Sequence, residues 1–404
     1  MSPLFQNPDV NVRGRKPVGF LALTTLCFFA ASSAPTPIYH VYQQAWGFSA
    51  AMLTLVFAMY AFTLLAALLL VGSLSDYLGR RPVIFAALVL EIIAMLLFIF
   101  AVDVSWLLFA RTIQGIATGM AGSALGAALL DSDEQQGPLV NSIAPMFGMA
   151  VGALGSGLLV ELAPHPTLLG YCVLLAAFVA QAVYIWFIPE TVSAQPGAWA
   201  SLKPSLHVPP QARRTLWLVL PVDIAAWSLG GFFLSLTPSL LAAATGTTSA
   251  MNGGLAVATL TMSGAMAILF LRERAAALGL WIGASFLPMG VGVILGAVNG
   301  GWLWLFFVGT VTAGIGFGSG FLGALRLLLP LAQAHERAGL MSTFYVLSYL
   351  AFCIPALIAG LSARSFGLIA TTNVYGAVVI VLALMALAGL VVRALAGRSA
   401  ETAR

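Results

Sequence analysis

The chain predicts an all-α membrane protein of twelve transmembrane helices arranged as two six-helix pseudo-repeats. Three observations carry that expectation. The 404 residues are 61% hydrophobic and only 7% charged, with a mean hydropathy of +1.01, a composition foreign to water-soluble domains. Apolar runs of about twenty residues, the length that crosses a bilayer, recur along the whole chain. None alternates with period two, which excludes a membrane barrel and leaves helices as the structure that satisfies backbone groups in lipid.

The first run, 18–40, follows the polar stretch 1–16. It is too long for a signal-peptide core and no small-residue cleavage site follows it, so no targeting peptide is expected. Its outer end carries Pro35 and Pro37, then Tyr39, Tyr42 and Trp46, where an interfacial aromatic belt belongs. Runs at 50–73 and 82–101 flank the charged stretch GSLSDYLGRRP, 72–82. The fourth, 104–129, leads into the acidic turn DSDE at 131–134. The fifth, 139–162, carries a glycine stripe, and the sixth, 167–188, ends at Pro189-Glu190-Thr191. From 191 to 214 the chain is rich in Pro, Ser and Ala and too polar to span. Six more runs follow at 215–243, 252–271, 276–298, 301–329, 340–363 and 369–393. The expected plan is a first half, 1–190, a cytoplasmic linker, 191–214, and a second half, 215–404.

Basic residues orient the bundle. Arg13, Arg15, Lys16, Arg80, Arg81, Lys203, Arg213, Arg214, Arg272, Arg274, Arg337, Arg393, Arg398 and Arg404 fall on one side and Arg364 on the other. The positive-inside rule then predicts that both termini are cytoplasmic. The net charge of +4 reports this asymmetry and gives no reason to invoke a nucleic acid. Cys27, Cys172 and Cys353 all lie inside apolar runs, which suits packing and suggests neither a disulfide framework nor a metal site.

The halves echo each other. FFAASSAP, 28–35, answers FFLSLTP, 232–238, and GIATGMAGSALGA, 115–127, answers GIGFGSGFLGA, 314–324, in the same order and at similar spacing. Parallel repeats of this kind build transporters with a site where the halves meet. Aligning Gly115 with Gly314 sets Arg111 against Thr310, so whatever Arg111 does is done by one half.

Gly72, Leu74, Asp76, Gly79, Arg80 and Arg81 complete the pattern G-x-L-x-D-x-x-G-R-R, and Arg111, Gln114 and Gly115 the pattern R-x-x-Q-G. With Pro-Glu-Thr closing the sixth helix, the chain resembles the major facilitator superfamily and, within it, bacterial drug:proton antiporters. The resemblance implies that Gly72, Asp76, Gly79, Arg80 and Arg81 form a conformational latch favouring the outward-facing state. Physically, glycines permit a tight turn there, and Asp76 is suited to pair with a basic side chain or cap a neighbouring helix. The DSDE turn is a solvated turn or a partner for Arg80 or Arg81 across the inner gate. The antiporter pattern of helix 5, G-x-x-x-G-P-x-x-G-G, reads here GMAVGALGSG. Gly148, Gly152 and Gly157 fit, but Ala153 replaces the proline and Ser156 a glycine, which weakens antiport and leaves close helix packing as the other reading.

Ionisable side chains deep in a bilayer are costly and face a cavity or a partner. Arg111 lies about 10 Å into helix 4 at 1.5 Å per residue, with Gln114 and Thr118 on its face. Asp223 lies in helix 7, one turn before Trp227, and Glu91 near the middle of helix 3. Guanidinium stays protonated, so Arg111 is expected to act on a neighbouring carboxylate that changes charge. Asp223 is preferred for that role because helix 7 lines the central cavity of the resembled fold, whereas Glu91 suits a structural bond as well as proton carriage. Trp227, Phe232, Phe233 and Met120 are expected as an apolar substrate wall, joined by Gln114, Thr118 and Tyr39.

Energy coupling is narrowed by what is missing. Lys16 and Lys203, the two lysines, both precede proline, so there is no P-loop; HERAG, 335–339, lacks the second His of a zinc-protease helix, and no GxSxG elbow occurs. These argue against an enzyme and against any cofactor beyond the proton gradient. The expected function is proton-coupled efflux of small lipophilic or amphipathic molecules by a monomer in the lipid bilayer. Proton-driven uptake of a metabolite is the alternative and calls for a more polar pocket. A non-transporting sensor is the third reading.

Overall fold

The computed structural model describes residues 9–199, 202, 206–247, 249–333 and 336–402; Lys203 and Arg404, both expected on the basic side, lie outside them. Twelve helices are long and apolar enough to cross a membrane, and there is no strand among the described residues. The first crossing is α1 (Asp9–Ser33) with α2 (Pro35–Trp46). It is followed by α3 (Ala50–Val71), the short α4 (Leu74–Leu78), α5 (Arg80–Ile99), α6 (Val104–Ser132), α7 (Gly137–Leu162) and α8 (Leu169–Tyr184). The seventh crossing, α9 (Pro210–Ser235), continues into α10 (Thr237–Thr245). Then come α11 (Ala250–Leu271), α12 (Ala276–Gly300), α13 (Leu303–Leu328), α14 (Arg337–Phe366) and α15 (Leu368–Thr402).

Helix α9 begins at Pro210, inside the stretch read as linker. Proline fits the first helical turn because its missing N–H has no acceptor to serve there, and Gln211 to Arg214 are good helix formers. Loops at the end away from the arginines are short and locally capped. Ser49 Oγ accepts from the Met52 amide at 3.2 Å and Asp103 Oδ1 from the Ser105 amide at 2.7 Å, while Gly47 and Gly246 close their helices at positive φ.

The two sequence echoes mark matching structural features. FFAASSAP and FFLSLTP each hold a helix break, α1 stopping at Ser33 before Pro35 and α9 at Ser235 before Pro238, and the proline then stands in the first turn of the next helix, where its missing N–H is tolerated. The breaks face each other: the Thr36 hydroxyl donates to Leu234 O at 3.0 Å and the Ser239 hydroxyl to Gln43 Oε1 at 3.2 Å. The glycine echo packs α6 on α3 and α13 on α11. A Cβ at Gly119 would stand 2.5 Å from Leu64 O and one at Gly318 2.1 Å from Gly264 O, so both pairs approach backbone to backbone.

Helices before and after the central loop meet chiefly through α7 with α11 and α3 with α14. These contacts gather at the end away from the arginines. A Cβ at Gly254 of α11 would lie 2.3 Å from Ala153 O of α7, and Gly360 of α14 sits against Thr54 of α3. Glu161, closing α7, accepts hydrogen bonds from the Ser249 hydroxyl and the Met251 amide at the start of α11. Toward the arginine end the helices part around a central cavity, whose mouth holds the exposed Asn141 and Ser142 of α7.

Candidate functional site

The central cavity encloses about 230 Å³ between helices of both halves. One wall is aromatic. Trp227 of α9 lies 4.9 Å from Tyr349 and 5.6 Å from Phe352 of α14, and 5.9 Å from Phe321 of α13; Phe57 of α3 joins at 5.0 Å from Phe352. The facing wall mixes methionines with hydrogen-bonding groups: Met146, Met149, Ser32, Tyr60, Asn141 and Ser142. Among the described residues, no Asp, Glu, Lys, Arg or His lines it. Such a surface suits a small uncharged molecule with flat apolar faces and a polar edge.

Arg111 lies behind the Tyr60 wall, 1% exposed, and its donors are matched by specific acceptors. Nε donates to the Tyr39 hydroxyl at 2.7 Å, and Nη1 to Ser32 O at 2.8 Å and to Gln114 Oε1 at 2.6 Å. The rings of Tyr60, Tyr39 and Phe98 surround the guanidinium at 5.1, 5.5 and 6.0 Å, within cation–π range. Gln114 passes the connection on, its Nε2 donating to Glu91 Oε1 at 2.9 Å and to Ala31 O at 3.1 Å. Glu91 is fully buried, and its second oxygen has no hydrogen-bond partner. At the matching place in the second half the chain keeps no such network. Thr310 turns its hydroxyl back to Phe306 O at 2.8 Å, and Gly290 packs against the backbone of Ala313.

Asp223 stands apart from this network, which corrects the expectation that Arg111 sits beside it. It accepts from the Ser348 hydroxyl of α14 at 2.7 Å and is fully buried. The indole of Trp227, one turn on, faces its other oxygen without hydrogen-bond geometry. Sequence distance along a helix reports depth but not the neighbour across the bundle, and the carboxyl linked to Arg111, through Gln114, is Glu91 of α5.

Of the expected wall residues, Trp227 and Phe233 line the cavity. Tyr39, Gln114 and Thr118 are buried in the Arg111 region instead, Thr118 donating to Gln114 O at 2.9 Å. Met120 packs against the core. Phe232 faces a separate void within the second half, 4.9 Å from Tyr375. Missed were Tyr60, Tyr345, Tyr349, Phe352 and Ser348. The signal was present in YVLSYLAF, 345–352, where aromatic residues at i, i+4 and i+7 share one helical face.

At the arginine end, Arg80 ties the α4–α5 turn to α6. Its guanidinium donates to Asp76 Oδ1 at 2.5 Å, to the Ser75 hydroxyl at 2.7 Å and to Asp131 Oδ2 at 3.0 Å. Glu190 caps α5, accepting from the Arg80 and Arg81 amides at 2.8 and 2.9 Å, and Arg81 donates to Trp186 O at 2.8 Å. Gly79 permits the turn: its φ is +97°, and a Cβ there would meet Glu190 Oε2 at 2.7 Å. All of these partners belong to the first half, so Asp131 pairs with Arg80 beside it and not across a gate.

Residues 21–354 match the Major Facilitator Superfamily. The chain belongs to this superfamily. Among curated proteins it is similar to an uncharacterized transporter from Rickettsia felis, 27% identical over 179 residues, which are 42% of this chain and 43% of that protein; the match thus spans under half of that relative. Among solved structures it shares its fold with a nucleoside transporter, NupG, at a TM-score of 0.73, 11% identity, 92% coverage of this chain and 99% of the other. A bacterial homologue of the human lysosomal transporter Spinster, in an inward-facing, unoccupied conformation, aligns at a TM-score of 0.69 and 12% identity, over 95% of this chain and 98% of that one. Superfamily membership makes this chain a multi-pass membrane protein of the secondary-transporter type.

Proposed function

We propose that this superfamily member exports small, uncharged lipophilic or amphipathic compounds by alternating access, in exchange for protons, as a monomer in a bacterial inner membrane with its arginine-rich end and both termini in the cytoplasm. One observation carries the reading: a charge-free aromatic cavity stands beside two fully buried carboxyls, Glu91 and Asp223, neither in a salt bridge. A buried charge without a counter-ion is costly, so such groups are suited to exchanging a proton as the bundle opens to one side or the other. Glu91 joined to Arg111 through Gln114 is the preferred coupling site, with Asp223 as a second carrier.

The test uses inside-out vesicles acidified within by respiration. An exporter takes up an added substrate in exchange for luminal protons, so a panel of neutral aromatic compounds, N-phenyl-1-naphthylamine among them, is expected to collapse the gradient only where the protein is present. The second reading, proton-driven uptake of a neutral metabolite, is favoured by the hydrogen-bonding groups Ser32, Tyr60, Asn141 and Ser142 on one wall. It predicts no loss of luminal protons when solute is added to the medium, but loss of luminal protons together with the solute when the solute is loaded inside those vesicles. Absence of both responses across the panel would overturn coupled transport.

A further inference from the structure

We infer that Tyr60 is the positioning residue through which an occupant of the central cavity acts on Glu91, by way of Arg111; the inference rests on the proton-coupled reading above. Neither Glu91 nor Arg111 lines the cavity. What separates them from it is a layer one side chain thick, and Ser32 and Tyr60 are the members of that layer that touch both sides. Ser32 supplies only its backbone carbonyl to Arg111, held in place by the α1 helix. Tyr60 supplies a side chain. Its ring lies 5.1 Å from the Arg111 guanidinium carbon, and the same residue faces the cavity opposite the aromatic wall.

The backbone beneath Tyr60 is held by its close approach to α6, so an occupant acts on the side chain, whose hydroxyl faces Ser32 and Thr118. Gly115, four residues after Arg111, packs against Tyr60 O so closely that a Cβ would stand 2.2 Å from it. The α3 and α6 helices therefore keep their separation. A molecule lying against the Tyr60 ring shifts the ring relative to the guanidinium, and Arg111 passes the shift to Gln114 Oε1 at 2.6 Å and so to Glu91. The titratable and charged groups facing this region are Arg111 and Glu91, Tyr39 and Tyr42 of α2, Tyr171 of α8 and, across the half interface, Tyr349 of α14. Within that set Tyr60 alone combines a face on Arg111 with a place in the cavity wall on the first-half side.

Coupling is reciprocal: if an occupant alters proton binding at Glu91, pH alters the occupant's affinity by the same factor. Binding of N-phenyl-1-naphthylamine, a neutral dye that brightens in apolar surroundings, is measured on the purified full-length protein across about pH 6 to 9, with protein-free micelles subtracted. The wild type is expected to change affinity by about 5-fold or more, an ordinary coupling strength, and Glu91→Gln to abolish that change. Tyr60→Phe keeps the ring and retains the pH dependence. Tyr60→Leu removes part of the cavity wall and is expected to bind the dye more weakly at every pH, but its affinity varies with pH by less than about 2-fold over the same range. Tyr60→Met, which also lacks a ring and fills the space flexibly, gives the same flat profile and replaces the leucine variant if that one does not fold. A wild-type slope that survives both ring deletions overturns the inference while leaving proton coupling intact. A slope lost equally in Tyr60→Phe overturns it as well, since the ring would not be the relay. A flat wild-type profile, or one unchanged in Glu91→Gln, overturns the coupled reading and this inference together.

Discussion

Two buried carboxyls differ in what their neighbours let them do. Glu91 is held by one donated hydrogen bond from Gln114, whose other end is fixed by Arg111. Asp223 is held by the Ser348 hydroxyl, which also returns to Phe344 O at 2.9 Å. Glu91→Gln keeps the volume and the Gln114 contact but cannot bind or release a proton, so proton release on dye addition is expected to disappear while dye binding persists. Asp223→Asn is expected to reduce the release only in part. Full release from Glu91→Gln with none from Asp223→Asn would move the coupling role to the second half. Arg111→Ala leaves buried acceptors on Tyr39, Ser32 and Gln114 unserved. At about 1–3 kcal/mol for each unsatisfied group, a loss of folded protein is expected by size-exclusion and thermal scanning. The charged residues of this site were legible in the sequence because each stands alone in an apolar run. Their pairing was not. Arg111, Glu91 and Asp223 were all read at plausible depth, yet only packing of α5 on α6 decides which carboxyl is linked to the guanidinium.

At the scale of elements, the α4–α5 turn shows what a motif can mean in one conformation. Asp76 and Asp131 share one guanidinium with unequal exposure, the Asp76 side chain being 54% exposed and that of Asp131 33%. Exposed ion pairs contribute little to stability, about 0–1 kcal/mol. Asp76→Asn is therefore expected to leave the melting temperature almost unchanged; because its partners all lie in the first half here, any slowing of transport would come from the outward-facing state that the resemblance associates with this motif. A large drop in melting temperature would reassign Asp76 to folding. Glu190 is the opposite case. It accepts four backbone amides, those of Arg80, Arg81, Thr191 and Val192, so Glu190→Ala is expected to cost more stability than Asp76→Asn, checked by the same thermal scan. The second half reaches a similar end by different chemistry: Arg326 closes α13 on Leu271 O and Arg274 O at 3.2 and 2.7 Å. The helix breaks before Pro35 and Pro238 could not be read from proline alone, since Pro17, Pro145, Pro221, Pro288 and Pro355 stand inside unbroken helices. Nor could the meeting of Thr36 and Leu234 across the halves, since the sequence repeat aligns the breaks without saying that they touch.

At the scale of the molecule, the twelve crossings and the six-plus-six echo were legible because hydrophobic length and glycine packing are local properties, whereas the side on which the cavity opens depends on contacts far apart in the chain. The closed end is sealed by backbone approach. Gly254 of α11 lies against Ala153 of α7, Gly157 against Ala250, and Gly360 of α14 against Thr54 of α3, with Glu161 capping the start of α11. The position where the antiporter pattern would place a proline is Ala153, whose carbonyl forms part of this seal. Small residues let the helices meet without intervening side chains, and a side chain introduced there has no space to occupy in this conformation. Gly254→Val is accordingly expected to disfavour the cavity-open arrangement at the arginine end and to favour the one open on the other side. Single cysteines in a cysteine-free background report the change: Ser142→Cys, at the cavity mouth, should react more slowly with an impermeant thiol reagent in the Gly254→Val background, and Thr36→Cys, now buried at the seal, more quickly. Adding Glu161→Gln, which weakens the cap on α11, should push both rates further in the same directions. If Gly254→Val folds and both rates stay at their starting values, the glycine contact is not what holds that end shut, and the seal must instead reside in the α3–α14 pair.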